Sequence, residues 1–350
     1  MSSTTVDQPD LTQLGNLVAP SLTSDDVAAT FHNQMVGKTV LITGVSPTGL
    51  GAEAARIVAK HSPKLLILAS RTPASVEEVI ATLKADAGFD ASATAIEPLE
   101  LDLASQTSVR AAVASLTAKH PELALDVIIN NAGIMMLQEY QGIPDAAGES
   151  IEKQFGTNHI GHFLFTNLLV PALRRSTAPG GARVVSVTSR GYLGSPVKAL
   201  DNPTLLRDTP ENRAAYDSFG AYAQSKTANL LFTVGLANKL AGKGVTAYSV
   251  DPGAVGSTNL SRSVPLAVQE QLGWRLPDGS LNPVVPFISA AQSVASYVKA
   301  AYDPSLADKS GATIASAAVD ESILEYAKDP VLAEKLWALS EELVGEKFDY

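Results

Sequence analysis

Four times before residue 160, a short apolar run gives way to a stretch with helical spacing. Residues 39–43 (Thr-Val-Leu-Ile-Thr) run into Gly44 and a helix at 52–60; 65–69 precede a helix at 76–85; 96–101 precede one at 105–119; and 127–130 lead to Gly133 and a later helix. Further strands at 183–188 and 245–250 flank a long helical stretch at 221–240. Strands alternating with helices imply a parallel sheet covered on both faces. Because each crossover is right-handed, six or seven such strands predict a single α/β domain built on a doubly wound parallel sheet. Its ligand crevice lies at the carboxyl ends of the strands.

Three segments interrupt the alternation: 1–36, 191–220, and the Pro- and Gly-rich stretch 256–286. Long irregular connections inside a compact domain are usually functional lids or mobile. The expected organisation is a leader at 1–36, a binding and catalytic core at 37–255, and substrate-loop and C-terminal elements of the same domain at 256–350. Composition removes whole classes of function. With 36 acidic against 26 basic residues the net charge is −10, the wrong sign for neutralising a nucleic-acid backbone, so no nucleic-acid partner is expected. The absence of cysteine excludes disulfides, thiolate metal sites and thiol nucleophiles, and fits a reducing compartment. Residues 1–20 carry Asp7, Gln8 and Asp10 where a secretory signal would be basic and then apolar. No run of about 18 apolar residues offers a membrane span. The expectation is a cytoplasmic protein acting on a small molecule.

Between the first strand and helix lies Gly44-Val-Ser-Pro-Thr-Gly49-Leu-Gly51, a context in which glycines let backbone N–H groups and a helix N-terminus approach a pyrophosphate. Thr43, Gly44, Ser46, Gly49, Leu50 and Gly51 are the candidate residues. The competing phosphate motif requires Lys and Ser/Thr after its second glycine, but Leu50 and Gly51 follow here. About 20 residues beyond the loop a Rossmann domain selects its ribose partner, and that place holds Ser70 and Arg71. A guanidinium and a hydroxyl suit a 2′-phosphate, so NADP(H) is the preferred cofactor and NAD(H) the lesser alternative.

Tyr222-Ala-Gln-Ser-Lys226 puts a phenol and an ammonium four apart on one helix face. An unperturbed tyrosine titrates near 10, so working near neutrality asks for about 3 units, or about 4 kcal/mol. An ammonium ~4 Å away supplies ~1 kcal/mol in water and ~4 kcal/mol at an effective dielectric near 20. The pair therefore works only in a closed site, where an oxidised nicotinamide adds charge of the helpful sign. An isolated tyrosine and lysine at this spacing are otherwise ordinary features of an amphipathic helix.

Seven pieces in order give the chain a resemblance to the short-chain dehydrogenase/reductase family, from about Lys38 to Gly253: Thr43-Gly44 to Gly51, Asp102-Leu103, Asn130-Asn131-Ala132-Gly133, Asn158, Ser189, Tyr222 to Lys226, and Pro252-Gly253. The resemblance implies that Asp102 and Leu103 lie at the adenine, and that Asn130, Asn131, Ala132 and Gly133 pack beside the adenosine ribose. It implies that Ser189 orients the substrate oxygen, Tyr222 exchanges its proton, Lys226 holds the nicotinamide ribose and lowers the tyrosine pKa, and Asn158 anchors a proton relay. Pro252, Gly253, Val255, Ser257 and Thr258 would cradle the carboxamide. Phe155-Gly-Thr-Asn158-His-Ile-Gly-His-Phe163 and Tyr222 to Asn229 are similar to the retinol-dehydrogenase-like and WW-domain-oxidoreductase-like branch, especially its fungal-type members. His159 and His162 are read as packing residues there, with no metal site. Two departures stand out. Four residues rather than three separate Gly44 from Gly49, although Gly49-x-Gly51-x-x-Ala54 satisfies the alternative dinucleotide fingerprint. No basic residue lies inside the loop, which leaves Arg71 as the evident phosphate partner.

The reacting group should be a carbonyl or the matching alcohol, since hydride transfer places the carbon at the nicotinamide and its oxygen at Ser189 and Tyr222. Tyr192, Leu193, Leu205, Leu206, Tyr216 and Phe219, with Leu260, Val264, Leu266 and Trp274, make the two irregular segments apolar enough to favour a medium-to-bulky hydrophobic substrate over a sugar. The leading expectation is an NADP(H)-dependent carbonyl reductase or alcohol dehydrogenase, in secondary metabolism, with room for a homo-oligomer. The alternatives are a non-catalytic NADP(H)-sensing protein and a C=C reductase on the same scaffold.

Overall fold

Eight strands form one sheet in the computed structural model, which describes residues 21–350. They are β1 (Thr39–Thr43), β2 (Leu65–Ser70), β3 (Ala95–Glu100), β4 (Val127–Asn130), β5 (Ala182–Val187), β6 (Val245–Asp251), β7 (Thr313–Ala315) and β8 (Ala318–Val319). In space they run β8-β7-β6-β5-β4-β1-β2-β3. Every neighbouring pair is parallel except β7 with β8. The six strands expected from the sequence occur within a residue or so of their anticipated bounds.

Burial explains the apolar runs. Val40 and Ile42 of β1 pack on one face of the sheet with Leu66, Leu68, Ile129 and Val185, while Leu41 packs on the other with Leu65, Ile67, Ile128 and Val184. Alternate side chains point to opposite faces, and both faces are covered, so no position in β1 is polar except its ends. The first face is covered by α1 (Ser24–Thr30), α2 (Leu50–Ala59), α3 (Pro73–Ala85) and, later in the chain, the helix Ala290–Tyr302. The second is covered by α4 (Gln106–Lys119), α5 (Gly161–Leu173), α6 (Ser218–Lys239) and the final helix Pro330–Val344. The chain leaves β1 toward β2 and β3, then returns to β4 on the other flank. The crevice opens at this reversal, where the carboxyl ends of β1 and β4 diverge.

The leader does not behave as a separate appendage over its described part. Thr23 and Asp26 form a capping box, with Asp26 N donating to Thr23 Oγ1 at 3.3 Å and Thr23 N donating to Asp26 Oδ2 at 2.8 Å. The helix it opens buries Val27 and Ala28, and these join Met35 in the core. Residues 1–20 of the expected leader lie outside the described residues. Two other features had no strand signal. Gly142–Pro144 and Ser150–Glu152 form a small hairpin, and β7 and β8 turn through Ser316 and Ala317, at φ of 49° and 56°. Two successive positive φ angles define a type I′ turn, normally marked by Asn or Gly, and neither is present here. Among the described residues no helix is long and apolar enough to cross a membrane.

Candidate active site

A crevice of about 370 Å³ runs along the carboxyl edge of the sheet, from Ser70 and Arg71 past Gly44, Ser46, Gly49 and Leu50 to Tyr222, Lys226, Pro252 and Thr258. This is a usual size for a small-molecule site. Gly44 sits at φ +71°, and a Cβ there would lie 2.5 Å from the Ala132 Cα, so only glycine lets β1 turn against the loop after β4. Gly49 caps α2 without any side-chain bond, and while the Ala52 and Glu53 N–H groups bond the Gly49 carbonyl, those of Leu50 and Gly51 are left for an anion. The residues and their order along the crevice fit a dinucleotide, with its pyrophosphate at α2 and its nicotinamide at Tyr222.

The inner end of the crevice is held by α6. Tyr222, Ser225 and Lys226 are all buried on it. Ser189 Oγ accepts from Gly191 N at 3.0 Å and stands beside the Tyr222 phenol, whose pKa it pulls down. A Cβ on Gly191 would approach the Tyr222 ring to 2.9 Å and Ser189 Oγ to 3.3 Å, so this glycine allows the pair to meet. Asn158 lies in a π-helical turn, Gly156–Ile160, just before α5. Its Oδ1 accepts from Ile134 N at 2.9 Å, and its Nδ2 donates to Ile134 O and to Ser225 Oγ, both at 2.9 Å. Such turns recur where a helix is bent to place a functional side chain.

From the sequence, Lys226 is expected to lower the Tyr222 pKa in a closed site, with an oxidised nicotinamide adding to the effect; among the protein's own groups burial dominates instead. Lys226 Nζ donates to Val187 O at 3.1 Å and stands 5.7 Å from the centre of the tyrosine ring. Burial pushes the phenol up to about 12, with Ser189 pulling it down and Asp251 pushing it further up. Burial also lowers Lys226 to about 8. The protein's own groups thus keep Tyr222 protonated, and any acidification must come with a bound positive charge. Asp251 itself is held above its ordinary range by burial and faces Arg190 Nε at 3.0 Å; Arg190 Nη2 reaches Asp320 Oδ2 at 2.7 Å.

Thr43, Gly44, Ser46, Gly49, Leu50, Ser70, Arg71, Asp102, Leu103, Ala132, Gly133, Tyr222, Lys226, Pro252 and Thr258 line the crevice. Asn158 stands behind the lining, bonded to Ile134, which forms part of it, and Ser189 does not line it either. Gly51, Asn130, Gly253, Val255 and Ser257 do not line it. Gly51 packs under the turn, where a Cβ would meet the Gly44 carbonyl at 2.6 Å. Asn130 is a correction: its side chain points into the core and donates to Thr166 Oγ1 at 2.8 Å, and Asn131 faces the crevice instead. Gly253 borders a separate small cavity with Asp251, Ile288 and Ser293. Several lining residues carried no sequence signal, notably Thr188, Arg262 and Tyr297, while Leu260 belongs to the apolar segment expected at the substrate; the Tyr297 hydroxyl donates to Asn131 Oδ1 at 3.1 Å from a helix far along the chain. Thr72 and Ser75 were more accessible, since Thr72-Pro73 is a helix-start pattern immediately after Arg71.

Residues 38–197 match the family profile described as short chain dehydrogenase. Retinol dehydrogenase 14 of Mus musculus is 34% identical over 317 residues, covering 89% of this chain and 87% of its own length. The chain belongs to the short-chain dehydrogenase/reductase family. Polyprenol dehydrogenase of Homo sapiens is 33% identical over 296 residues, covering 82% of this chain and 80% of that protein. The fold likeness extends to 3-ketoacyl-(acyl-carrier-protein) reductase from Brucella melitensis complexed with NADH, at a TM-score of 0.53 and 20% identity over 80% of this chain and 97% of that one. The protein is thus a retinol-dehydrogenase-like oxidoreductase with a Rossmann-like α/β fold.

Proposed function

We propose that this protein is an NADP(H)-dependent oxidoreductase interconverting a carbonyl with a secondary or primary alcohol on a medium-to-bulky, largely apolar small molecule. The observation that carries the reading is a buried Tyr222 at the inner end of a crevice whose outer end is lined by Arg71, with Ser189 beside the phenol and burial raising its pKa. The bound dinucleotide supplies the hydride in reduction and accepts it in oxidation. In reduction Ser189 orients the substrate oxygen and Tyr222 gives it a proton. Lys226 holds the ribose end, and Asn158, fixed by Ile134 and Ser225, steadies the relay that reprotonates the phenol.

Support for NADP(H) comes from the amino end of α3. Ser70, Arg71, Thr72 and Ser75 gather there, Thr72 caps the helix without a side-chain bond, and Arg71 is exposed with no partner among the described residues. Hydroxyls and a guanidinium together suit a phosphate monoester. Support for an apolar substrate comes from Met135, Met136, Phe219, Val264, Val268, Leu272 and Trp274, which pack around Tyr222. Two relatives are named for alcohols, retinol and polyprenol. We read residues 37–350 as one domain and place the activity in the cytoplasm and in secondary metabolism.

The test is a library of apolar and polar carbonyls with NADPH or NADH, followed by mass spectrometry. A gain of two hydrogens at the carbonyl of apolar members, faster with NADPH, is expected. Reduction of C=C bonds alone, or no NADPH binding, would overturn the reading.

A further inference from the structure

The two histidines read as packing residues in the sequence have different surroundings. His159 Nε2 pairs with Ser340 Oγ at 2.8 Å, away from the crevice. His162 is buried on α5 with both ring nitrogens bonded, between the first residue of the cofactor loop and the π turn that carries Asn158.

The hydrogen positions follow from valence. Thr43 Oγ1 accepts from Asn131 N at 3.0 Å and Ala132 N at 3.1 Å, which fills its lone pairs. Its own proton then goes to His162 Nε2, 2.9 Å away. The ring is therefore the neutral tautomer with its proton on Nδ1, and that N–H donates to the Asn158 carbonyl at 2.9 Å. Burial, which lowers His162 to about 4, agrees with a neutral ring at working pH.

A closed circuit results. The segment 131–134, the wall of the crevice nearest Lys226, is tied at Asn131 and Ala132 by Thr43 and at Ile134 by the Asn158 side chain. Asn158 is tied in turn to Ser225, whose hydroxyl donates to the Tyr222 carbonyl at 2.7 Å. His162 joins the two clamps. An apolar side chain of the same size would fill the same space but would orphan the Thr43 hydroxyl and release the Asn158 carbonyl.

We propose that His162 is a positioning residue that locks the 131–134 wall to Asn158, and through Ser225 to Tyr222, so that the dinucleotide and the proton donor keep one relative placement. The proposal deepens the functional reading above, and its first readouts do not depend on turnover.

Three variants separate the two bonds. His162→Phe keeps volume and loses both; His162→Gln keeps an acceptor near Thr43; His162→Asn keeps a donor near the Asn158 carbonyl. Amide hydrogen exchange and NADPH fluorescence titration are measured on each, with carbonyl reduction as a third readout. In His162→Phe, exchange at 131–134 should accelerate about tenfold while β2 is unchanged, and NADPH binding should weaken about tenfold. Should His162→Phe fail to fold, the other two still decide: Asn131 and Ala132 exchange faster in His162→Asn than in His162→Gln. Folded variants with unchanged exchange at 131–134, or with equal acceleration in β2, would overturn the proposal, because a packing role alone moves neither or both. If the wild-type protein reduces no carbonyl while exchange responds as expected, the Tyr222 reading falls and the His162 assignment stands.

Discussion

A phenol that donates to a substrate must keep its proton until the substrate arrives, and burial of Tyr222 does this. With Tyr222 raised to about 12 and Lys226 lowered to about 8, the first group to titrate above neutrality in the free protein is the lysine. Carbonyl reduction, followed as kcat/KM, should be level below about pH 7 and fall as pH rises through about 8, where Lys226 loses the charge with which it holds the ribose end. Lys226→Arg should push the fall to higher pH; a profile that ignores this substitution would remove the lysine from the account. At the other end of the crevice, Arg71→Asp should lower the preference for NADPH over NADH at least about tenfold, equivalent to about 1.4 kcal/mol. A ratio that stays put would make Arg71 a solvated surface residue. Which residues of a motif face the crevice was harder to read than the motif itself. Asn130 and Asn131 are adjacent, and a strand sends neighbours to opposite faces, so only the register of β4 shows that the first enters the core beside Thr166.

The elements that shape the inner end come from distant parts of the chain. Val264 and Trp274, from the irregular lobe between β6 and β7, pack with Met136 and Phe219 over Tyr222. They belong to neither of the two large core clusters. Trp274→Ala should therefore raise KM for apolar substrates several-fold while leaving the unfolding midpoint within about 2 °C; a large drop in midpoint with unchanged KM would make the lobe structural. Gly191→Ala, which brings a methyl within 2.9 Å of the Tyr222 ring, should cost turnover without loss of cofactor binding. Strands β1, β2, β4, β5 and β6 were legible because nearly every residue on both faces is buried and apolar residues predominate, whereas β3, at the sheet edge, is largely exposed and was marked by its place between two helical stretches. Strands β7 and β8 were not legible, being three and two residues long and joined by a turn without Asn or Gly. The described leader helix was hidden by its brevity: seven residues offer two turns, and its stability comes from packing on the Ala290–Tyr302 helix and α2, which no local pattern encodes.

For the whole molecule, the buried histidines tie stability to pH. Burial lowers His159 to about 3 and His162 to about 4, so the unfolded chain takes up protons that the folded one refuses. Their contribution is complete above about 6.5 and is lost as pH falls through the window down to the folded values; Glu152 and Asp251, raised by burial, act in the opposite sense. His162→Gln should accordingly remove about 2 kcal/mol of the decline in stability between pH 7 and pH 5, measured from urea midpoints. Equal declines in the two proteins would contradict the buried neutral ring. The architecture that buries these rings also encloses the proton donor, and the donor is what the functional account stands or falls on. The most direct measurement is turnover and NADPH affinity in Tyr222→Phe, which removes one oxygen and keeps the ring. Turnover should fall at least about a hundredfold with NADPH affinity within about threefold of the wild type; undiminished turnover would show that the proton comes from elsewhere.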